Sequence, residues 1–206
     1  AHAKKEGYEV EVSHNSLYLN KAAKTISIQV VRESFLELDT VLDLNTFDLL
    51  TAGAVFDLLS ESLLEKLLRT IQKHKIACLT TINYEGIEFI PAQESDEIYI
   101  RYYETHMVRP QPFGHSLGPH TSYALSRLLD QYKIKFIQGE SNWDIDAPSQ
   151  KMHNFLLNYM EEGVTAMLSD KKTKAEFQTW LSEKRSLVKQ QQLQQIVYHS
   201  DFFFHQ

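Results

Sequence analysis

The chain has 206 residues, of which 43% are hydrophobic and 23% charged, and its formal net charge is −6. This length is enough for one sizeable hydrophobic core, so we expect a single domain over residues 1–206. The negative charge argues against a nucleic-acid partner, because binding to phosphates requires a basic surface. The sequence has no run of about 20 apolar residues and no signal peptide, so we expect no membrane partner and a cytoplasmic location.

The first part of the chain alternates predicted strands and helices. Residues 8–12 ("YEVEV") and 26–31 ("ISIQVV") read as strands, with a short helix expected between them in "SHNSLYLNKAAK". Residues 46–52 form the third predicted strand, whose near-continuous apolar run suits burial on both faces. A helix over 60–74 with one apolar face leads to the fourth predicted strand at 76–82.

This alternation predicts an α/β fold, with a mainly parallel sheet and helices on both of its faces. Sheets of this type bind ligands at the carboxyl ends of their strands, and the small residues 51–54 ("TAGA") lie at such an end. Small side chains there either let a ligand approach the backbone or let the following helix pack tightly on the sheet. The residues alone leave both interpretations open.

The second half of the chain is predicted to be more helical. Its expected elements are a helix at 95–107, a loop at 109–119, a helix from Pro119 to Tyr132, a strand at 134–138, helices at 149–168 and 173–193, and a closing strand at 195–204. In this order, residues 139–194 form a helical insertion before the last strand.

Several motifs of common enzymes are missing from the sequence. It has no GxSxG, no GxxxxGK[ST], no CxxC and no HExxH, so we expect neither a hydrolase serine, nor a P-loop, nor a metal site. The one cysteine, Cys78, lies inside the apolar run "IACLTTI" and is interpreted as a buried, inert thiol.

Three sequence blocks carry a resemblance to a known family. They are "FDLLTAGAVFDLLSE" (47–61, block one), "FGHSLGP" (113–119, block two) and "VYHSDFFF" (197–204, block three). In the same order they resemble "DLVTASALLDLVS", "FGPALGP" and "VGHxDLLA" of a bacterial subset of class I S-adenosylmethionine-dependent methyltransferases. The resemblance implies a Rossmann-like methyltransferase fold whose first strand and Gly-rich loop precede residue 1. It therefore implies an N-terminally incomplete, methyltransferase-like domain.

The resemblance also implies which residues bind the cofactor S-adenosylmethionine. Ser13 or Asn15 would hydrogen-bond the ribose hydroxyls, although the family usually has an acidic residue there. The other implied cofactor contacts are Glu33 and Ser34 at the adenine amine, Phe35 against the adenine ring, and Thr51, Ala52, Gly53 and Phe56 along the methionine arm. With the family likeness, the ligand interpretation of the small residues becomes the favoured one.

A small-molecule methyl acceptor is expected beside the cofactor. Its candidate contacts come from the tyrosine-rich helix, the loop after it and the segment after the strand at 134–138: Tyr102, Tyr103, His106, Arg109, Phe113, His115 and Trp143. If the acceptor must lose a proton, His106 is the candidate base, because the pKa of an unperturbed histidine lies near neutrality.

Two other function classes stay open at this point. The chain is alternatively a catalytically inactive, methyltransferase-like binding or assembly module, which the missing acidic residue and missing Gly-rich loop favour. Another nucleotide-binding α/β enzyme would need a different Gly-rich loop upstream of residue 1. Apolar sheet surface left uncovered by the absent first strand would drive self-association, for which a homodimer is the simplest form.

Overall fold

The chain divides into two compact units in the computed structural model, which describes residues 2–34, 37–111 and 114–205. We call Ala1–Asp43 the N-terminal unit and Leu44–Gln206 the C-terminal unit. Each unit has its own sheet, and each is considered separately below.

The N-terminal unit is built around an antiparallel sheet. Its elements are α1 (His2–Lys5), β1 (Glu9–Ser13), β2 (Ser16–Lys21), β3 (Lys24–Gln29) and α2 (Leu38–Val41). The strands pair in the order β1-β2-β3, and both pairings are antiparallel.

The prediction of a short helix after the first strand is wrong, because that segment forms β2. Polar and apolar residues alternate through Ser16, Leu17 and Asn20, which is the two-residue period of a strand rather than the period of a helix. Only two residues, His14 and Asn15, connect β1 to β2. A connection this short allows a hairpin but not the longer crossover that parallel strands need.

The C-terminal unit contains the second sheet. Its strands are β4 (Leu49–Gly53), β5 (Ala77–Ile90), β6 (Pro110–Gln111), β7 (Gly114–His115), β8 (Lys135–Glu140), β9 (Trp143–Ile145) and β10 (Gln194–His205). The sheet has the order β4-β5-β10-β8, and β9 pairs with another part of β10. The short strands β6 and β7 pair only with each other among the described strands.

The predicted mainly parallel, Rossmann-like methyltransferase fold is wrong. Among the described strands, β4 and β5 form the one parallel pair, while β10 runs antiparallel to β5, β8 and β9. The physical reason is that β5 continues through Gly86 to Ile90, and β10 returns beside it, with Val197 opposite Ile87 and Phe204 opposite Cys78. The observed class is mixed α/β, with an antiparallel sheet in one unit and a mostly antiparallel sheet in the other.

The predicted helices of the C-terminal unit are confirmed with small changes in their ends. They are α3 (Glu61–His74), α4 (Asp96–Met107), α5 (Thr121–Gln131), α6 (Gln150–Met167) and α7 (Lys171–Lys189). Ser60 caps α3 by accepting a hydrogen bond from the backbone N–H of Leu63, and this fixes where β4 gives way to the helix. None of the described helices is long and apolar enough to cross a membrane.

Two main hydrophobic clusters form the core of the C-terminal unit. The first joins α3 and α5 to β10 and to the beginning of β5, and includes Leu64, Leu125 and Phe204. The second joins α4, α6 and α7 to the end of β5, and includes Phe89 and Trp180. Strand β5 therefore contributes to both clusters, with its beginning in the first and its end in the second.

Cys78 has the packing role predicted for it. Cys78 is fully buried in the first cluster, and its burial raises the pKa of the thiol to about 12, as expected for an inert cysteine. Trp180 is buried in the second cluster.

Candidate functional site

Both strands of the parallel pair leave regular geometry at the same point. Gly53 at the end of β4 lies opposite Thr81 of β5. The next residue on each strand has a left-handed backbone, with φ of 53° at Ala54 and 60° at Ile82. This conformation is costly for a residue with a side chain, above all for a β-branched one, and such strain is often found at functional sites.

The strained segment of β5 is anchored by polar contacts to block three. The backbone N–H of Ile82 donates to Oδ1 of Asp201 at 2.9 Å. The next residue, Asn83, is fully buried and donates from Nδ2 to the carbonyl of Ser200 at 2.7 Å, while its Oδ1 accepts from Thr80 at 3.0 Å. These bonds hold β5 in its irregular conformation. A further bond joins the two strands, since the backbone N–H of Ala54 donates to the carbonyl of Thr81 at 2.9 Å.

Block two also contacts the turn that follows β4. The backbone N–H of Leu117 donates to the carbonyl of Leu59 at 2.8 Å. A Cβ at Gly114 would lie 3.1 Å from Cβ of Ser60, so the chain passes very close to the start of α3. Block two therefore contacts the strand-to-helix turn of block one directly, and block three reaches it through the Ile82–Asn83 segment of β5. Gly53 and Ala54 of this turn are exposed.

Asp57 places a carboxyl group in this turn. It lies in the 3-10 helix Phe56–Leu58 and is half-buried. Its Oδ1 is buried and has no hydrogen-bond partner among the described residues. Burial raises the pKa of the Asp57 carboxyl, and the backbone N–H groups of Asp57 and Leu58 offset part of that increase.

Tyr103 of α4 lies at the centre of a group of tyrosines beside this carboxyl. Its ring is 6.2 Å from that of Tyr84 on β5, in an edge-to-face arrangement. Burial raises the pKa of Tyr103, and the negative charge of Asp57 and the neighbouring Tyr159 of α6 raise it further. Helix α6 approaches Tyr103 closely because it carries a glycine, Gly163, at the point of contact. A Cβ at Gly163 would lie 3.0 Å from Cδ2 of Tyr103.

Glu104 adds a second carboxyl group. It accepts a long hydrogen bond of 3.4 Å from the hydroxyl of Tyr84. Burial raises the pKa of Glu104, while the hydrogen bond from Tyr84 and the charge of His120 lower it. We call Tyr84, Tyr103, Tyr159, Asp57 and Glu104 the tyrosine cluster.

His199 of block three lies next to the tyrosine cluster. Its ring is 6.4 Å from that of Tyr84 and 4.7 Å from that of Trp143. The residue is only 3% exposed, and its Nδ1 has no partner in the described part of the chain. Burial lowers the pKa of the imidazole, which favours the neutral ring.

The predicted acceptor residues are only partly brought together. Tyr103 is central to the tyrosine cluster, and Trp143 is joined to it through His199. The others lie as follows: Tyr102 packs against the second hydrophobic cluster, His106 and Arg109 contact each other, Nδ1 of His115 lies 3.2 Å from the carbonyl of Val108, and Phe113 is outside the described residues. Burial and the charge of Arg109 lower the pKa of His106, so it stays a neutral candidate base.

The predicted cofactor residues are divided between the two units. In the N-terminal unit, Ser13, Asn15 and Glu33 line one cleft of about 860 Å³, Ser34 is exposed, and Phe35 is outside the described residues. In the C-terminal unit, Thr51, Ala52 and Gly53 belong to β4, and Phe56 is buried in the first hydrophobic cluster.

Sequence reasoning missed most of the tyrosine cluster. In block one, Asp57 is the one charged residue of the apolar stretch "VFDLL". That isolated charge is the sequence signal that points to Asp57. Tyr84, Glu104 and Tyr159 give no such signal, because their proximity depends on how α4 and α6 pack against β5. No group of three or more metal-ligating side chains occurs within residues 2–34, 37–111 and 114–205.

The chain was also compared with known proteins. A scan against protein-family models found no model that matches it, and a search of curated proteins found no matching relative.

Proposed function

We propose that this chain is an S-adenosylmethionine-dependent methyltransferase that transfers a methyl group to a small molecule in the cytoplasm. The observation that carries the proposal is that block two contacts the strand-to-helix turn of block one directly and block three reaches it through β5, while Gly53 and Ala54 of the turn are exposed. Residues without bulky side chains let a ligand lie directly against the backbone.

The chemistry of this transfer suits a site without a preformed catalytic pair. The methyl group leaves a sulfonium that is already activated, so the protein mainly aligns the two reactants and excludes water. The turn offers backbone groups for alignment, and aromatic side chains of the tyrosine cluster stand next to it.

The cleft of the N-terminal unit supports the same proposal independently. Ser13 contributes a hydroxyl, Asn15 an amide and Glu33 a carboxylate to its lining. Groups of these three kinds are able to hydrogen-bond the hydroxyls of a ribose and the amine of an adenine. The volume of about 860 Å³ lies within the usual range for small-molecule sites.

Binding measurements on the whole chain test the proposal. We expect isothermal titration calorimetry with S-adenosylmethionine, and with its demethylated product S-adenosylhomocysteine, to give saturable heat and both compounds to raise Tm. The absence of heat and of any Tm shift at millimolar ligand would contradict the proposal.

A matched pair of glycine variants tests the role of the turn. Gly53→Val places a branched side chain over the exposed main chain, and its Cβ would meet the Thr81 hydroxyl at 3.3 Å, which can rotate away. We expect at least tenfold weaker cofactor binding. Gly86→Val is the control, since its Cβ would make ordinary contact with Tyr198 at 3.9 Å, away from the turn.

A second pair tests the N-terminal cleft by itself. Glu33→Ala removes a carboxylate from the cleft lining, so we expect weaker binding of S-adenosylmethionine. Glu11→Ala is the control, because Glu11 is an exposed residue of β1 opposite Tyr18. Equal cofactor binding by the two variants would contradict a role for Glu33.

A binding or assembly module is the second candidate function. It is favoured by exposed apolar side chains on the N-terminal sheet, among them Val12, Ile26 and Ile28, with Val12 80% exposed. Large exposed apolar patches are typical of protein interfaces. A chain that binds neither cofactor form but sediments as a dimer would favour this module over the enzyme.

A further inference from the structure

We propose that the methyl acceptor is an organic cation, a protonated amine, held by the tyrosine cluster. This inference rests on the proposed function and adds the chemical class of the acceptor to it.

The rings of the cluster provide aromatic surface for a cation. Tyr103 lies between Tyr84 and the neighbouring α6, and Tyr159 of that helix is 53% exposed. Tyr159 also contacts Phe155 of the same helix, with the ring centroids 4.8 Å apart. The face of an aromatic ring attracts ammonium groups, and several rings together favour substituted ammonium ions in particular.

The two carboxyl groups of the cluster are incompletely partnered. Asp57 has a buried oxygen without a partner among the described residues, and Glu104 has a long bond to one tyrosine hydroxyl. Neither belongs to any ion pair found in the described part of the chain. Leaving a desolvated carboxyl without a counter-charge is unfavourable, and an entering cation would remove that cost.

Other ligand classes fit these groups less well. An anion would be repelled by Asp57 and Glu104. A neutral aromatic compound would use the rings but would bring no cation to either carboxyl group. Among the described residues, Arg109 contacts His106, and the exposed His120 acts electrostatically on Glu104.

The transfer step balances with this acceptor. The bound ammonium first gives one proton to a carboxylate of the cluster and becomes a neutral amine. Its lone pair then forms the new N–C bond to the methyl group, the C–S bond breaks, and the electron pair of that bond stays on sulfur as a neutral thioether. The product is a methylated ammonium ion, and the carboxyl releases its proton to water afterwards.

Choline is a suitable probe, because its quaternary ammonium keeps its charge at every pH. Its neutral counterpart is 3,3-dimethylbutan-1-ol, which has nearly the same shape. Both are titrated by calorimetry into the full chain saturated with S-adenosylhomocysteine, which occupies the cofactor site without a sulfonium charge. We expect choline to bind at least tenfold more tightly than the alcohol.

Two variants with matched controls locate the binding. Asp57→Asn removes the charge, and Tyr159→Leu removes a largely exposed ring, so both are expected to fold. We expect each to weaken choline binding at least tenfold. The controls are Asp130→Asn, at an exposed position of α5, and Tyr123→Leu, where the side chain is 75% exposed.

The outcomes separate this inference from the proposed function. Displacement of choline by S-adenosylhomocysteine would assign the carboxyl groups to the cofactor and overturn the inference. Equal binding of the neutral alcohol, or cofactor binding without any choline binding, would also overturn it while the proposed function stands. Choline binding without binding of either cofactor form would contradict the proposed function and, with it, the acceptor role.

Discussion

Two aspartates of the C-terminal unit show two different uses of a carboxyl group removed from water. Asp96, at the start of α4, accepts hydrogen bonds from Nε1 of Trp180 at 2.7 Å and from the backbone N–H of Gln93 at 2.9 Å, and Nζ of Lys184 lies 2.8 Å from it. Asp57 has a buried oxygen without a partner among the described residues. The first group is fully satisfied by the fold, and the second is not.

The difference separates stability from function. A buried carboxylate whose two oxygens both accept hydrogen bonds holds neighbouring elements in one arrangement, here α4, α7 and the end of β5. A carboxyl left unsatisfied costs stability, and proteins keep such groups mainly where a ligand or a reaction uses them. Removing the cation beside Asp96 and removing the charge of Asp57 should therefore change the free energy of unfolding in opposite directions.

The largest effect is expected at the satisfied carboxylate. Lys184 is fully buried, with Nζ 4.6 Å from the centre of the Phe89 ring. Its burial lowers the pKa of the ammonium, and the hydrogen bond to Asp96 opposes that change. Lys184→Met leaves the Asp96 carboxylate buried without its cation, so we expect a loss of about 3–5 kcal/mol in the free energy of unfolding, measured in urea.

An exposed lysine of the same helix is the control for this prediction. The Lys172 side chain is 85% exposed and lies 3.8 Å from Glu176. Lys172→Met should change the free energy of unfolding by less than about 0.5 kcal/mol. If Lys184→Met also costs less than about 1 kcal/mol, the pair with Asp96 does not stabilise the fold in the way proposed.

A smaller loss is expected at Gly163 of α6, beside the unsatisfied carboxyl. The Cβ in Gly163→Ala would lie 3.0 Å from Cδ2 of Tyr103 and 3.1 Å from Nδ1 of His106. Overpacking costs about 1–3 kcal/mol, and the higher helix propensity of alanine returns about 1, so we expect a net loss near 1 kcal/mol in urea unfolding. Gly139→Ala is the control, since nothing in the described residues lies within 4 Å of its Cβ. Equal stability of the two variants would show that Tyr103 is free to move.

The sequence predicted elements better than it predicted their directions. Helices α3, α4, α6 and α7 follow from the spacing of their apolar residues, because that spacing is set within one helix. A buried strand has the same apolar run whether its neighbour is parallel or antiparallel, so the pattern of β10 does not reveal that it returns beside β5. The sequence predicts β1 as a strand but β2 as a short helix, although a two-residue connection between them is typical of a hairpin.

The candidate site was predictable only where side-chain size carried the signal. Gly53 and Ala54 stand out in the sequence because small residues interrupt an apolar stretch. Whether Asp57 finds a partner depends on which groups the fold brings near it, and Tyr159 reaches Tyr103 only because Gly163 lets α6 approach α4. Such contacts belong to tertiary packing, which local patterns do not encode.

The smallest effect is expected at Asp57, and it has the opposite sign. Asp57→Asn removes the charge of a half-buried carboxyl that has an unpartnered oxygen. We expect the variant to be more stable than the original chain at neutral pH by about 0.5–1 kcal/mol, as at other sites kept for function. Urea unfolding at pH 7 measures this, with Asp130→Asn as the control. If Asp57→Asn is less stable than the original chain, Asp57 stabilises the fold, as Asp96 does.

The pH dependence of that gain follows from the direction of the Asp57 pKa. Burial raises the pKa in the folded chain above the unfolded value, so the folded state binds the proton more tightly. As pH falls through the folded pKa, the original chain becomes protonated and recovers the stability it lacked, whereas the asparagine variant has no group to titrate there. The difference between the two should therefore shrink toward zero on acidification and reach its full size only above the folded pKa. A difference that grows on acidification would mean that the ionised carboxyl of Asp57 is the form that the fold stabilises.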